Sequence, residues 1–223
     1  KKKKTEEEAL LGVSLTGIAD FKPTDQEYLK WQKIAHDTAK DYHKPLGINM
    51  PAAITTVKPS GTVSCLVDSS SGIHERWSQY YIRRVRMDVK DPMCLLMKDS
   101  GIPGAPCVNN PLNTYVFDFP IGIDRAVNEF SAAGQLYNWA VVKKSYTDHN
   151  PSVTITYKPD EYMSLGADLY GKYWNIAQGL SFLPRTDHVY RQAPYETITK
   201  EQYEKLAKVM PTVDWSLLGK YEL

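Results

Sequence analysis

The chain has 223 residues, of which 42% are hydrophobic and 24% are charged, and its formal net charge is +1. This length can bury a substantial core, while the near-neutral charge excludes a strong field that would recruit nucleic acid or an anionic membrane. No apolar run approaches the roughly 18 residues of a membrane-spanning helix. The cysteines, Cys65, Cys94 and Cys107, fit no metal-ligand spacing, so we predict no metal site and a cytoplasmic protein with reduced thiols.

Capping signals and apolar periodicity predict the helices. Residues 1–11 open with the charge block KKKKTEEE and are expected to form a charged linker or a helix start. Thr24 and Glu27 have capping-box spacing, and the apolar positions behind them predict a helix of about four turns that ends near Pro45. The other predicted helices, in chain order, cover 131–144, 159–179 and 201–210.

Runs of β-branched and aromatic residues between turn signals predict the strands. In chain order, the predicted strands cover 52–57, 79–88, 114–121, 151–157 and 180–184. The segment 62–67 fits a helix or a strand from its local pattern. Because strands alternate with helices, we expect one compact α/β unit with parallel strands and packing helices.

A small polar turn, Lys-Pro-Ser-Gly-Thr, interrupts β-forming residues in the first predicted strand region. Gly61 permits close approach to the backbone, the hydroxyls of Ser60, Thr62 and Ser64 can donate hydrogen bonds, and Lys58 can add charge. Phosphate sites use such groups, although the turn is not a Walker A loop. The alternative, a tight turn with no ligand, is favoured by turn chemistry alone.

Other polar residues are weaker candidates. His74 beside a glutamate could act as a general base, but a hydrogen-bonded structural histidine is the commoner case. The arginines within 83–86 could meet phosphates, yet strand alternation sends them to opposite faces. Asp148 and His149 lie in a loop before a predicted strand, where a solvated turn is the simpler interpretation. No spacing assembles a nucleophile, a base and an orienting group.

Several longer motifs follow one another in a fixed order. They are GVSLTGIAD, LGIN, AAITTVKPSGTVS, DSSSGIHERWSQYYIRRVRMDVKDP, HNPSVTI, GLSFLP and YRQAPYETIT. Together they resemble the adenosylcobalamin-dependent (class II) ribonucleotide reductases, and most nearly the monomeric type that reduces ribonucleoside triphosphates. The resemblance extends from about Gly12 to Glu222, and KPSGTVS with SSGIH and YYIRRVR is its most specific part.

This resemblance implies a fold, a ligand and partners. The chain would be the second five-stranded half of a ten-stranded α/β barrel, the C-terminal half of the catalytic chain, with adenosylcobalamin as cofactor. The turn would approach the phosphates of a ribonucleoside triphosphate. A thioredoxin-type reductant and an N-terminal half, in cis or as a separate subunit, are implied as partners. The implied phosphate-binding residues, with Lys58 added for its charge and adjacency, are Lys58, Pro59, Ser60, Gly61, Thr62 and Ser64.

The chain also departs from the family pattern. The family's radical chemistry needs a cysteine in an Asn-x-Cys-x-Glu arrangement and two redox cysteines, and the three cysteines here lie in other contexts. The catalytic cysteines are therefore expected outside this chain. Thr56 and Thr147 stand where relatives often carry Cys, and corrin-binding residues are unassigned beyond a guess at the loop 149–152.

Alternative functions remain at this stage. The chain could be a non-catalytic nucleotide-binding or structural subunit derived from a reductase, or, with less support from its motifs, half of a class I reductase. An open half-barrel would expose strand edges and apolar surface. We therefore expect the isolated chain to be poorly soluble or molten, and a sharp, cooperative thermal transition would contradict this.

Overall fold

The computed structural model describes residues 1–61, 63–123, 130–185 and 190–222. The chain divides into two compact units, where the sequence favoured one. The first unit contains the described residues of Lys1–Arg76 and Asn128–Thr186, and the second those of Trp77–Val127 and Asp187–Leu223.

Helices and strands are distributed over both units. In chain order, the α-helices are α1 (Lys2–Glu8), α2 (Ile18–Phe21), α3 (Asp25–Tyr42), α4 (Val63–Leu66), α5 (Pro92–Asp99), α6 (Ala132–Ser145), α7 (Tyr162–Asp168) and α8 (Lys200–Lys208). The strands are β1 (Val13–Ser14), β2 (Thr55–Thr56), β3 (Tyr80–Asp88), β4 (Gly104–Pro106), β5 (Thr114–Gly122), β6 (Thr154–Tyr157), β7 (Ser181–Pro184) and β8 (Tyr195–Thr197). Shorter 3-10 or π-helical segments cover Pro159–Glu161, Leu169–Tyr173, Trp174–Ile176 and Trp215–Lys220. No helix in the described ranges is long and apolar enough to cross a bilayer.

The first unit contains two pairs of short parallel strands, β1 with β2 and β6 with β7. Helices α3 and α6 pack against each other, and α6 also packs against β6. The backbone N–H of Ser152 donates to the carbonyl of Val57 at 2.9 Å, which joins the segments that carry β2 and β6. Leu136 and Trp139 of α6 are fully buried in its core. The capping box predicted for α3 is confirmed, since Thr24 accepts from the N–H of Glu27 and Glu27 accepts from that of Thr24.

The second unit contains a four-stranded antiparallel sheet in the order β4-β5-β3-β8. The long strands β3 and β5 pair along their whole length, from Tyr80 opposite Gly122 to Asp88 opposite Thr114. Helix α5 packs against this sheet through a small cluster that includes Phe117. The expectation of parallel strands is therefore wrong for this sheet, because alternation along a strand does not encode the direction of its neighbour.

Several boundaries differ from the sequence prediction. Of the predicted strand 52–57, only β2 is regular strand, and the ambiguous segment after it forms α4. The predicted helix 159–179 is interrupted by π-helical and 3-10 turns, and Gly166 and Gly171 within it weaken a regular α-helix. The sequence did not predict α2, β1, β4 and β8, because elements of two to four residues carry no readable period. The longer helix α5 was also not predicted.

Candidate functional site

The polar turn follows β2 and is hydrogen-bonded to a serine-rich segment, residues 69–74 (SSSGIH). The N–H of Ser60 donates to Oγ of Ser71 at 2.9 Å, and the Ser71 hydroxyl donates to the carbonyl of Ser60 at 2.8 Å. At the start of α4, the N–H of Ser64 donates to Oγ of Ser60 at 3.0 Å, and the Ser64 hydroxyl donates to the Ser60 carbonyl at 3.0 Å. The backbone N–H groups of Ser60 and Ser64 are thus used within the protein.

The side chains of the turn are better placed to meet a ligand. Lys58 is exposed, and its backbone N–H donates to Oγ of Ser14 at 3.1 Å. Ser60 accepts a hydrogen bond at Oγ, so its hydroxyl proton can be donated outward. Gly61 is exposed, and no described atom outside its immediate neighbours lies within 4 Å of where a Cβ would stand. Pro59 has no N–H to donate.

Thr62, the last residue of the predicted turn, lies outside the described residues. Ser64, in contrast, is buried and bonded to Ser60 through both its N–H and its hydroxyl. Its position favours support of the turn over direct contact with a ligand. Within the turn, Lys58 and Gly61 are therefore exposed and Ser60 is half-buried.

The serine-rich segment approaches the turn closely because it contains a glycine. Gly72 has a φ of +57°, and a Cβ there would lie 2.8 Å from the carbonyl oxygen of Lys58. The N–H of Gly72 donates to Oγ1 of Thr16 at 3.0 Å, and the N–H of Ile18 donates to the Gly72 carbonyl at 3.2 Å. A larger residue at position 72 would push the two segments apart.

An ion-pair cluster holds the far side of this segment. The Arg76 guanidinium lies 3.0 Å from Asp20 and 2.8 Å from Asp68, and its side chain is only 9% exposed. Asp20 also accepts from the N–H of Ser70 at 2.8 Å. Burial by itself would lower the pKa of Arg76, but the hydrogen bonds to the two carboxylates outweigh it and raise the pKa. The cluster therefore stays charged and fixes the chain from Ser70 to Arg76.

His74 has a structural role in this arrangement. Its Nε2 accepts from the N–H of Thr154 at 2.9 Å, which leaves the proton on Nδ1, 3.3 Å from the carbonyl of Ser71. Burial lowers the pKa of His74, so the neutral ring is favoured. Since both ring nitrogens have partners, the hydrogen-bonded structural histidine is the interpretation that the geometry supports.

Asp148 holds strand β2 from another side. Its Oδ2 accepts from the N–H groups of Ile54 and Thr55 at 2.9 and 3.1 Å and lies 2.9 Å from Nε2 of His36. Burial by itself would raise the pKa of Asp148, but the two N–H groups and His36 outweigh it and hold the pKa below its usual value. Its neighbour His149 is 2.8 Å from the carbonyl of Leu11 through Nε2. This loop is therefore bonded to β2, to α3 and to the segment before β1, although Asp148 itself is exposed.

The arginines of β3 have separate structural partners within the second unit. Arg83 lies over the ring of Tyr195, 4.3 Å from its centroid. Arg84 bonds Asp118 and Glu196 on the two neighbouring strands. The last of them, at position 86, donates to a backbone carbonyl at 2.7 Å. They do not form one anion-binding cluster.

The cysteines, and the two threonines at positions where relatives often carry Cys, differ in burial and in hydrogen bonding. Cys94 is fully buried, and burial raises the pKa of its thiol. The pKa of Cys107 is lowered, first by hydrogen bonds from the backbone N–H groups of residues 109 and 110. Cys65 lies in α4. Thr56 and Thr147 are buried, and their hydroxyls have no hydrogen-bond partner among the described residues.

Ser71, Gly72, Arg76 and Asp20 were not predicted as part of the site. The motif SSGIH marked their region, but a single sequence does not say which segment the serines face. Their contacts with the turn and with one another span 11 to 56 residues of sequence.

A comparison with solved structures identifies the class of the fold. The crystal structure of a B12-dependent (class II) ribonucleotide reductase matches 88% of this chain and 28% of that chain, with a TM-score of 0.76 and 30% sequence identity. No protein-family model matches the sequence. The first part of the resemblance, to class II ribonucleotide reductases, is confirmed.

Curated relatives narrow the class further. The adenosylcobalamin-dependent ribonucleoside-triphosphate reductase of Euglena gracilis is 32% identical over 218 residues, which cover 92% of this chain and 30% of the relative. The enzyme of the same name from Lactobacillus gasseri is 36% identical over 176 residues, 76% of this chain and 23% of the relative. The chain is thus homologous to adenosylcobalamin-dependent ribonucleoside-triphosphate reductases over most of its length. It spans less than a third of the length of these relatives.

Proposed function

We propose that the chain is part of an adenosylcobalamin-dependent ribonucleoside-triphosphate reductase, and that its turn binds the phosphates of the substrate. The observation that carries the proposal is the similarity to reductases of this name across 92% of the chain, at 32% identity. The structural match to a class II reductase supports the same function independently of the motifs.

Phosphate binding would rest on side chains of the turn. The Lys58 ammonium supplies charge, the Ser60 hydroxyl supplies a donor, and the open space where a Gly61 side chain would stand lets a phosphate come close. We keep Pro59, Thr62 and Ser64 in the proposed site on the strength of the resemblance. Loss of one charge-assisted contact would weaken binding by about 1.5–3 kcal/mol. By holding the triphosphate, this chain would position the ribose next to the reacting groups, which would be supplied by another part of the enzyme.

We further propose that the parallel strands of the first unit are part of the second half of a ten-stranded barrel. The pairs β1–β2 and β6–β7, and the bond from Ser152 to Val57, support this architecture. Every residue of β7 is exposed, which is unusual for a parallel strand and leaves room for further chain against it. The N-terminal half, the catalytic cysteines and the site of a thioredoxin-type reductant would lie outside these 223 residues.

Adenosylcobalamin would initiate the radical chemistry of the complete enzyme. The loop 149–152 is the segment suggested for corrin contact, but two of its side chains are already bonded to other parts of the protein. His149 is bonded to Leu11, and the Asn150 amide donates to the carbonyl of Gly179 at 2.7 Å. The proposed share of this chain is therefore substrate binding, and no step is assigned to it through the cofactor.

The first experiment is a reductase assay with adenosylcobalamin and a ribonucleoside triphosphate. It compares the protein isolated from its source, with all co-purifying polypeptides, to the chain alone. We expect turnover in the co-purified sample and none by the chain alone. Nucleotide binding without turnover in either sample would contradict the reductase function and favour the non-catalytic nucleotide-binding subunit.

A second experiment isolates the turn. Ser60→Asp places a negative charge where phosphate would bind and should abolish triphosphate binding, measured by calorimetry on the co-purified protein. Ser164→Asp is the matched control, because Ser164 is exposed and lies in α7 of the same unit. If the Ser60 variant and the wild type bound triphosphate with equal affinity, the turn would have only a structural role.

A further inference from the structure

We propose that Ser71 is a positioning residue for substrate phosphate binding, because its hydroxyl fixes the conformation of the turn at Ser60. This inference rests on the proposed function of the turn. Ser71 itself would not touch the phosphate. It would act by holding Ser60 and Lys58 where a phosphate can meet both.

The contact between the two serines is reciprocal. The Ser71 hydroxyl accepts from the N–H of Ser60 at 2.9 Å and donates to the carbonyl of the same residue at 2.8 Å. One side chain thus bonds both backbone polar groups of a single residue, as a neighbouring strand would. The Ser60 carbonyl also accepts from the Ser64 hydroxyl, whereas its N–H bonds to Ser71. Because the two bonds lie on either side of the Ser60 Cα, together they fix its φ and ψ angles.

The conformation of Ser60 decides where its hydroxyl can donate. Its Oγ already accepts from the N–H of Ser64 at 3.0 Å, so the direction left for its own proton follows from the backbone. Without Ser71, the N–H and the carbonyl of Ser60 would each lose a partner in a half-buried turn. Small displacements of a positioning group weaken its contact with a ligand strongly.

Ser71 rests on a rigid support. Its own carbonyl accepts from the N–H of His74 at 2.9 Å and lies 3.3 Å from Nδ1 of the same histidine. The preceding residue, Ser70, is held through its N–H by Asp20, which pairs with Arg76. Positioning groups are effective when their own surroundings are fixed in this way.

The neighbouring serines do not make an equivalent contact. The hydroxyl of Ser69 donates to the carbonyl of Ser70 at 3.4 Å, a long bond within the same segment. The hydroxyl of Ser70 is buried and has no partner among the described residues. Ser69→Ala therefore makes the same chemical change in the same segment and is the natural control.

The test measures affinity on the protein as isolated, with its co-purifying polypeptides. Calorimetry gives the Kd of a ribonucleoside triphosphate, of inorganic tripolyphosphate and of the ribonucleoside without phosphates. We expect Ser71→Ala to weaken the two phosphate ligands about tenfold, from the loss of two hydrogen bonds that orient the turn, and to leave the ribonucleoside unchanged. Ser71→Thr, which keeps the hydroxyl, should stay within about threefold of wild type, and Ser69→Ala should match wild type.

The outcomes separate the inference from the proposed function. If Ser60→Asp abolishes triphosphate binding but Ser71→Ala binds like wild type, the positioning role is overturned and the proposed function stands. Equal weakening of the ribonucleoside and the triphosphate would show a general folding role and overturn the inference as well. If the wild type binds neither triphosphate nor tripolyphosphate, both fail. Should the alanine variant not fold, Ser71→Cys keeps the size with a weaker donor and must weaken the phosphate ligands selectively.

Discussion

The two units of the molecule differ in the hydrogen bonds that stabilise each of them internally. In the first unit the strands are two to four residues long, and side chains such as Asp148, Ser71 and Arg76 bond directly to the backbone of loops around them. In the second unit, β3 and β5 pair over nine residues each, and the backbone ladder itself holds the sheet.

The difference follows from how each region satisfies its backbone polar groups. A long antiparallel ladder satisfies the backbone N–H and C=O groups without help from side chains. A substitution there therefore affects stability only through the local contacts of that side chain. Short strands and loops depend on particular carboxylates, hydroxyls and guanidinium groups. We therefore expect single substitutions of polar residues to be more damaging in the first unit, which also carries the proposed phosphate site.

The largest effect is expected at Arg76. Arg76→Met removes a buried cation and leaves the Asp20 carboxylate, 15% exposed, without its guanidinium partner, while Asp68 is exposed and stays hydrated. Breaking a buried pair in this way costs about 3–5 kcal/mol. Urea denaturation of the protein as isolated, with its co-purifying polypeptides, measures this cost. The control is Arg191→Met, the same change at an exposed position of the second unit, and a cost below about 1 kcal/mol at Arg76 would contradict the comparison.

A smaller loss is expected for the corresponding change in the second unit. Arg84 bridges Asp118 and Glu196 on both neighbouring strands, but each carboxylate side chain is 38% exposed and can be hydrated when the arginine is removed. We expect Arg84→Met to cost about 1.5–3 kcal/mol in the same denaturation experiment. Arg84→Lys, which keeps the charge but not the planar fork, should recover only part of it. A loss at Arg84 larger than at Arg76 would reverse the comparison between the units.

The smallest expected effect depends on pH. The folded pKa of Asp148 is below its unfolded value of about 3.9. Its stabilising contribution is therefore complete above the unfolded pKa and is lost as the pH falls through the folded pKa. Asp148→Asn should destabilise the protein by roughly 1.5 kcal/mol near pH 6. The gap to wild type should begin to narrow below about pH 4 and continue to narrow as the pH falls through the folded pKa. Denaturation at a series of pH values measures the gap, and a gap that stays constant down to pH 3 would refute this role for the carboxylate.

The sequence by itself determined the local elements with strong signals. The capping box of α3 and the apolar pattern of α6 placed these two helices close to their observed ends. Alternating β-forming residues located β3, β5 and β6. The motifs around the turn and SSGIH indicated the reductase relationship. They selected six candidates for phosphate binding: Lys58, Pro59, Ser60, Gly61, Thr62 and Ser64. These features are local or read directly as residue order, so one sequence is enough to find them.

Only the tertiary structure decided what surrounds the turn and how the strands pair. A period of two is the same for parallel and antiparallel neighbours, so the antiparallel sheet of the second unit could not be read from alternation. Ser71 meets Ser60 across 11 residues and Arg76 meets Asp20 across 56, and no local pattern encodes such contacts. In the tertiary structure the N–H groups of Ser60 and Ser64 are already hydrogen-bonded within the protein. The proposed phosphate contacts are therefore made by side chains. Local sequence propensity does not distinguish between possible strand neighbours or side-chain partners, and tertiary packing determines which of them meet.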